Sequence, residues 1–309
     1  MDNVQSSRYA ARMRIYLGEM YPIPQRLLFA SIFSASFLSL LSRLHNLANN
    51  LLTPHTLTAI WGTFCFMLIL RLMDELKDKE IDRQLFSERP LPSGRVRESD
   101  IVTSLIGVIL LFLLAHLWLP RVLWMALILL AYSLLMFKYF FIPEILRKYL
   151  LLNLLTHNPV TAILLTYLVV LFGVGHQVPL ARLDWPRIVL LIVMYWSVLF
   201  AWEISRKIRA PEEENAYVTY SQILGPAGAV AVALGAQTIA LVIGIFLYVE
   251  LSLSWLFPVI LAAGYATTVC ADLRFLRRPN PATSKLRPYA EHYGTCLFAA
   301  GLLSSIFPW

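Results

Sequence analysis

Charge is what this chain has least of. Asp, Glu, Lys and Arg make up 15% of its 309 residues, hydrophobic residues make up 58%, and the mean hydropathy is +0.65. A soluble globular domain carries about 25% charged and about 45 to 50% apolar residues, so a soluble class is excluded and no long soluble domain is expected. Cysteine is scarce too. Cys65, Cys270 and Cys296 lie inside apolar runs and are too scattered for a zinc pattern; they read as packing residues that face lipid or core. No solenoid repeat is visible, and the one low-complexity stretch is Glu212-Glu213-Glu214. The N-terminus is polar and the first apolar run has no small-residue cleavage site close behind it, so no cleavable signal is expected.

What is present is a series of apolar stretches near the ~20 residues that cross a bilayer as a helix. They fall at about 26–44, 55–75, 100–118, 122–141, 149–173, 186–204, 224–249, 252–271 and 291–307. The expected fold is therefore all-α, an integral membrane bundle of about nine transmembrane helices, forming a single domain over 1–309. Little more than Glu250 separates the seventh span from the eighth. Short cytoplasmic loops are enriched in Lys and Arg, and a cytoplasmic N-terminus places all of the 26 basic residues except Arg43, Arg121, Arg182 and Arg187 on that side. The net charge of +7 is then explained by topology and by attraction to anionic membrane lipid. No nucleic-acid partner is needed.

Against this basic background the acidic residues are unevenly placed. Eight of the 19 fall between Asp74 and Asp100, and four more, Glu203 and Glu212 to Glu214, follow the sixth span. Even-numbered spans end on the cytoplasmic side, so both clusters are expected there. Asp74, Asp78 and Asp82 are spaced four apart, and residues four apart on an α-helix lie on one face. Carboxylates stacked in this way repel one another unless a cation neutralises them. Hard oxygen ligands that leave room for water and phosphate suit Mg²⁺. The competing reading is a solvated helix end, with Asp78 and Asp82 paired to Lys77, Lys79 or Arg83 in exposed pairs worth at most ~1 kcal/mol; for Glu80, Glu88 and Glu98 that reading is preferred.

The run Asp74-Glu75-Leu76-Lys77-Asp78-Lys79-Glu80-Ile81-Asp82-Arg83, followed by Arg89-Pro90-Leu91-Pro92-Ser93-Gly94, resembles the first aspartate-rich motif of the UbiA superfamily of intramembrane prenyltransferases. That motif reads Asn-Asp-x-x-Asp-x-x-x-Asp with an Arg-Pro-Leu-x-x-Gly segment downstream. Asp74 stands at the family's Asn and Glu75 at its first Asp, while Asp78 and Asp82 match outright. The resemblance extends over essentially the whole chain. It implies catalytic roles for Asp74, Asp78 and Asp82, metal ligation by these three and Glu75, Mg²⁺ as cofactor, an isoprenyl diphosphate substrate and a lipophilic or aromatic acceptor. Carboxylate-bound Mg²⁺ draws charge onto a diphosphate leaving group, and basic side chains, Arg89 among the candidates, stabilise its departure.

In the family the sixth helix ends in a second aspartate pattern, and here the sequence departs from it. Glu203-Ile204 and Arg206 match a Glu-Ile-x-Lys lead-in, but Lys207 and Ala210 stand where aspartates are expected. Two readings stay open: Arg206, Lys207 and Arg209 contact the diphosphate directly, or Glu203 or the Glu212 to Glu214 run supplies the missing ligands. A third treats the stretch as a solvated acidic loop beside a lipid-facing Arg cluster. Lys138 and Lys148, with Arg147, are further candidates for the diphosphate or for lipid headgroups. Asp272 reads as an ion pair with Arg274, the Asn153, His157 and Asn158 patch as hydrogen bonds to neighbouring helices, and Tyr132, Tyr195, Trp196, Trp202 and Tyr265 as possible lining of an apolar tunnel.

Other function classes fit less well. A transporter places carboxylates near the membrane midplane, whereas these gather at one face. A CDP-alcohol phosphotransferase requires Asp-x-x-Asp-Gly-x-x-Ala-Arg, which is missing. A UbiA-type terpene cyclase, which ionises the same diphosphate and closes it on itself, remains the alternative to the transferase, and a non-catalytic prenyl-lipid-binding relative stands behind both.

Overall fold

The computed structural model describes residues 8–48, 50–215 and 217–306. Among these there is no β-strand. Thirteen α-helices run in the order α1 (Tyr9–Met20), α2 (Ile23–Leu44), α3 (Pro54–Lys77), α4 (Lys79–Leu85), α5 (Glu98–Leu114), α6 (Pro120–Phe137), α7 (Pro143–Lys148), α8 (Leu150–His157), α9 (Pro159–Gly175), α10 (Trp185–Ser205), α11 (Tyr220–Glu250), α12 (Leu256–Arg277) and α13 (Arg287–Ile306). Seven helical stretches are long and apolar enough to cross a membrane: α2, α3, α6, the 150–175 stretch of α8 and α9, α10, α11 and α12. The chain is a multi-pass integral membrane protein. The third and ninth expected spans are helical as well, but α5 is only 17 residues long, and α13 carries Arg287, Glu291 and His292 in its first turns.

The chain divides into two compact units, one comprising Met1–Ser34 and Leu52–Pro143, the other Ala35–Leu51 and Glu144–Trp309. In the first unit α3 packs against α5 and α6, and α1 packs against α5. Helix α3 begins where Thr53 Oγ1 accepts the Thr56 N–H at 3.1 Å with Pro54 behind it, the cap-then-proline start that satisfies an otherwise orphaned donor. Helix α1 is not apolar enough to announce itself. It docks through Arg12 and Met13 and through Tyr16, four and three residues further on, all buried, and Arg12 forks onto Asp100 at the start of α5 with Nε–Oδ2 at 2.6 Å and Nη2–Oδ1 at 2.7 Å. Paired in this bidentate way, two charges tolerate burial that neither would tolerate alone.

In the second unit α10 packs on α9, α11 and α13, while α11 and α13 both pack on α12. Ile188, Leu191, Tyr195, Val198 and Ala201 make the buried stripe of α10 at helical spacing. Tyr195 is central. Its ring stacks on Phe298 at 5.3 Å and meets Phe37 edge-on at 5.1 Å, and its hydroxyl is 2.6 Å from Ser36 Oγ. It is therefore core, fully buried, and not the lining of a tunnel. Apolar burial gives little drive between helices surrounded by lipid, so close packing through small residues matters more. Gly264 of α12 lies so near α13 that a Cβ added there would come within 2.8 Å of Cys296 Cβ.

Two expectations for this unit change. The fifth span is interrupted at Asn158-Pro159, where proline has no N–H to continue the ladder, although Asn158 keeps right-handed helical dihedrals (φ −67°, ψ −28°) and its N–H still reaches the Leu154 carbonyl at 2.9 Å. Asp272 makes no ion pair with Arg274: it points inward, 4% exposed, beside Ala271 and Phe275, while Arg274 points outward. The helical spacing sets the two residues on different sides of α12.

Candidate active site

The aspartate segment lies in the first unit, where α3 gives way to α4. Helix α3 stops at Lys77 because Asp78 leaves helical dihedrals (φ −101°, ψ 9°), yet the backbone ladder carries on across it. Asp78 N–H donates to the Asp74 carbonyl at 2.9 Å, Asp82 N–H to the Asp78 carbonyl at 2.9 Å, and Phe86 N–H to the Asp82 carbonyl at 2.8 Å. The three aspartates are thus successive rungs of one ladder with a bend at the middle rung. That bend separates their side chains. Asp74 is exposed, Asp78 half-buried and Asp82 buried, so they do not share the single face that unbroken four-residue spacing predicts.

Each carboxylate has its own partners. Asp82 Oδ2 accepts from Arg89 Nη1 at 2.8 Å, and Asp78 Oδ1 accepts from the Tyr139 hydroxyl at 3.1 Å. Glu75 is 1% exposed; one oxygen is held by Arg71 one turn earlier, and the other, Oε2, is buried without a hydrogen-bond partner. The Tyr16 hydroxyl and Arg71 Nε are buried and unpartnered as well. A carboxylate oxygen so placed is costly and is an acceptor in waiting.

The Arg-Pro-Leu-Pro-Ser-Gly segment folds into a compact turn that delivers Arg89 to Asp82. Ser93 N–H donates to the Arg89 carbonyl at 3.0 Å, Gly94 N–H to Leu91 at 3.1 Å and Val96 N–H to Pro90 at 3.0 Å. Gly94 sits at φ +76°, a conformation for which a residue lacking Cβ is the natural choice. Arg95 then clamps the turn to α1, with Nη2 on the Glu88 carbonyl at 2.6 Å and on Glu19 Oε2 at 2.9 Å. The hydrogen bonds from Arg95 hold the Glu19 carboxyl below its ordinary pKa, outweighing the upward push of desolvation. A cavity of about 480 Å³ opens beside this turn, lined by Lys79, Arg83, Arg97 and Glu98 among others and by none of the three aspartates. Lys79 and Arg83 are one position on from Asp78 and Asp82, about 100° around the helix.

Tyr139, which no sequence signal marks, completes this surrounding. Tyr139, Phe140 and Phe141 all have positive φ, at 50°, 52° and 62°, in a left-handed turn after Lys138 caps α6. Such dihedrals cost a non-glycine residue about 1 to 2 kcal/mol each. The result is a buried Tyr139 whose ring lies 3.9 Å from Lys77 Nζ and whose hydroxyl reaches Asp78. Lys138 itself is exposed and leans over Phe137.

The second cluster belongs to the second unit. Glu203, on the last turn of α10, accepts two bonds from Arg206, at 2.5 Å and 2.9 Å, and has Lys207 Nζ at 3.5 Å. Lys207 also faces the rings of Tyr217 and Tyr220, and Arg206 and Arg287 both face Trp202, whose indole N–H donates to Glu291 at 2.9 Å. Trp202 is therefore an anchor among charges. The glutamate run is engaged locally: Glu213 Oε2 accepts from Ser284 Oγ at 2.5 Å and Ala210 N–H at 3.0 Å, and Glu214 accepts from Thr219 and Ser221 hydroxyls. Arg209 donates its backbone N–H to Ser221 and its guanidinium to the Ile208 carbonyl. Lys148 is exposed, over Tyr149. His157 bonds within its own helix, to the Asn153 carbonyl at 2.9 Å, and the side-chain oxygens of Asn153 and Asn158 are buried with no partner, so those two oxygens do not make the expected bonds to neighbouring helices.

Among the described residues no three His, Cys, Asp or Glu side chains are grouped closely enough to hold a metal by themselves. An all-protein cage for Ca²⁺ or Zn²⁺ is thus not formed. Mg²⁺ asks for less, one or two carboxylates with water and phosphate oxygens completing the shell; the hard-oxygen groups of this segment are the separately placed carboxylates of Asp74, Asp78 and Asp82 and the Glu75 Oε2 that has no hydrogen-bond partner.

These elements define a UbiA-type fold. The chain superposes on a digeranylgeranylglyceryl phosphate synthase with a TM-score of 0.64 at 16% identity, over 96% of this chain and 99% of that one. It superposes equally on a UbiA homolog from Aeropyrum pernix K1, with a TM-score of 0.64 at 15% identity, over 90% of this chain and 98% of that one. Identity at this level speaks for the fold. No family model and no curated protein matches the sequence.

Proposed function

We propose that this protein is a Mg²⁺-dependent intramembrane prenyltransferase that ionises an isoprenyl diphosphate and passes the prenyl group to a lipophilic or aromatic acceptor. The observation that carries the reading is the aspartate segment itself, set at the end of a membrane span in a bundle of UbiA type. In it Arg89 holds Asp82 and the Tyr139 hydroxyl holds Asp78, two different partners for two of the carboxylates. When bound, Mg²⁺ would supply charge neutralisation to the diphosphate as the allylic C–O bond breaks. Asp74, Asp78 and Asp82, with Glu75 beside them, are the residues to hold it. Lys138 and, separately, the cluster of Arg206, Lys207 and Arg209 are basic side chains proposed to meet diphosphate charge, while Arg89 is proposed to hold the Asp82 carboxylate. The cytoplasmic face is the proposed side of the site, on the distribution of Lys and Arg.

The test uses purified protein in lipid nanodiscs with Mg²⁺ and a series of prenyl diphosphates, with and without a phenolic or glyceryl phosphate acceptor. Prenylated acceptor, lost in Asp78→Asn, is the expected product. Cyclic hydrocarbon or alcohol formed without acceptor would replace the transferase reading by a cyclase, and no diphosphate release with any substrate would overturn both.

A further inference from the structure

We propose that Tyr139 is a positioning residue of the aspartate segment, fixing the Asp78 carboxylate for a divalent cation. The inference rests on the metal-dependent function proposed above and concerns how this chain orients the ligand. The Tyr139 hydroxyl donates to Asp78 Oδ1 at 3.1 Å, while its ring lies against Lys77 Nζ at 3.9 Å. One side chain thus grips two consecutive residues at the break between α3 and α4, where Asp78 has left helical dihedrals.

Tyr139 reaches that break through an expensive backbone. Three successive aromatic residues in the left-handed region persist only where surrounding contacts over-determine them. The contacts here are the Asp78 bond, the Lys77 ring contact and the edge-on packing of Phe140 on Tyr132 at 5.6 Å. Within the turn the inward residue is Tyr139, 7% exposed, while Phe141 is 74% exposed, so the turn buries the one residue with a hydroxyl. A right-handed continuation after Lys138 would carry that hydroxyl elsewhere.

The chemistry explains the arrangement. A ligating carboxylate is held by an outer hydrogen bond that sets its orientation, and loss of such a partner costs about 10 to 100-fold in metal affinity. With Oδ1 occupied by a neutral donor, Asp78 keeps its full negative charge and its Oδ2 for a cation, whereas an ion pair would offset that charge.

Tyr139→Phe keeps the ring and removes only the hydroxyl. Mn²⁺ binding by electron paramagnetic resonance, on wild type, Tyr139→Phe and Asp78→Asn in detergent, reads the effect without turnover. Expected is a Kd raised about 10 to 100-fold in Tyr139→Phe, with the helical content retained and the metal-free melting temperature lowered by no more than the loss of one hydrogen bond allows. An unchanged Kd in Tyr139→Phe, with binding weakened in Asp78→Asn, would overturn the role of Tyr139 and leave the metal reading standing. Equal Mn²⁺ behaviour in all three proteins would overturn the metal reading and this inference with it.

Discussion

Arg89 Nη1 donates to Asp82 Oδ2 at 2.8 Å, a contact seven residues long in sequence that ties the proline-rich turn to the third aspartate. It gives Arg89 a role distinct from substrate binding, and the two can be separated kinetically. If Arg89 orients Asp82, Arg89→Ala raises the Mg²⁺ concentration for half-maximal rate and lowers turnover by about 10 to 100-fold. If it meets diphosphate directly, the KM for the prenyl diphosphate rises in its place. We expect the Mg²⁺ effect to dominate, because the guanidinium is already committed to a largely buried carboxylate. Initial rates across a Mg²⁺ and diphosphate grid, for Arg89→Ala and Asp82→Asn, decide it.

Glu203 holds both Arg206 and Lys207, so the basic cluster in place of the second aspartate motif carries less free charge than its sequence suggests. For a substrate-contacting cation, Lys207→Ala is expected to raise the KM for prenyl diphosphate about tenfold, an energy of about 1.4 kcal/mol, without altering Mg²⁺ dependence. Glu203→Gln, which removes the negative charge that offsets both cations, is expected to move KM the other way. Glu213→Ala should leave Mg²⁺ dependence alone, because that carboxylate is engaged by Ser284 and Ala210. Loss of Mg²⁺ response in Glu213→Ala would instead make the acidic run a ligand.

The bundle was legible because apolar runs of bilayer length carry their own signal, and so was the aspartate segment, whose spacing survives as backbone rungs from Asp74 to Phe86. The bend at Asp78 was not, since neither proline nor glycine marks it. Helix α1 carries no apolar signal in the sequence because its buried stripe includes Arg12, a residue that reads as solvent-facing until its partner Asp100, 88 positions on, is known. The left-handed turn at Tyr139 has no glycine or asparagine to announce it. Ring contacts hold it, and those are tertiary. The inward position of Asp272 is tertiary in the same way, because sequence proximity to Arg274 says nothing about which side of α12 each occupies.

Glu213 also sets a pH dependence. Burial pushes its carboxyl up, but the Ser284 hydroxyl, the Ala210 N–H and the nearby Arg209 and Lys285 outweigh that and leave its pKa below the ordinary value. A carboxylate depressed in the folded state contributes stability in full above its unfolded pKa of about 4.3, and loses it as pH falls through the folded value. The stretch 206–215, joined to Ser284 through Glu213, is therefore expected to loosen only below about pH 4. Limited proteolysis from pH 7 to 3 should show cleavage near residues 209 to 215 rising at the acid end. Glu213→Gln should be cut at every pH, and cleavage of wild type unchanged across the range would count against the contact.

Gly264 offers a test of packing that is independent of function. An added Cβ would lie 2.8 Å from Cys296 Cβ and 3.3 Å from Tyr293 Cδ2. The nearest atom is the root of a side chain, which cannot swing away, so Gly264→Ala must push α12 from α13. Overpacking of this kind costs about 1 to 3 kcal/mol, despite the better helix propensity of alanine. Cys296→Gly removes both contacting atoms of that residue, and the pair Gly264→Ala with Cys296→Gly should recover much of the loss. Thermal unfolding of the four proteins in one detergent forms a double-mutant cycle. A coupling energy near zero would mean that the helices approach less closely than 2.8 Å implies; a coupling above about 0.5 kcal/mol is expected for residues in direct contact.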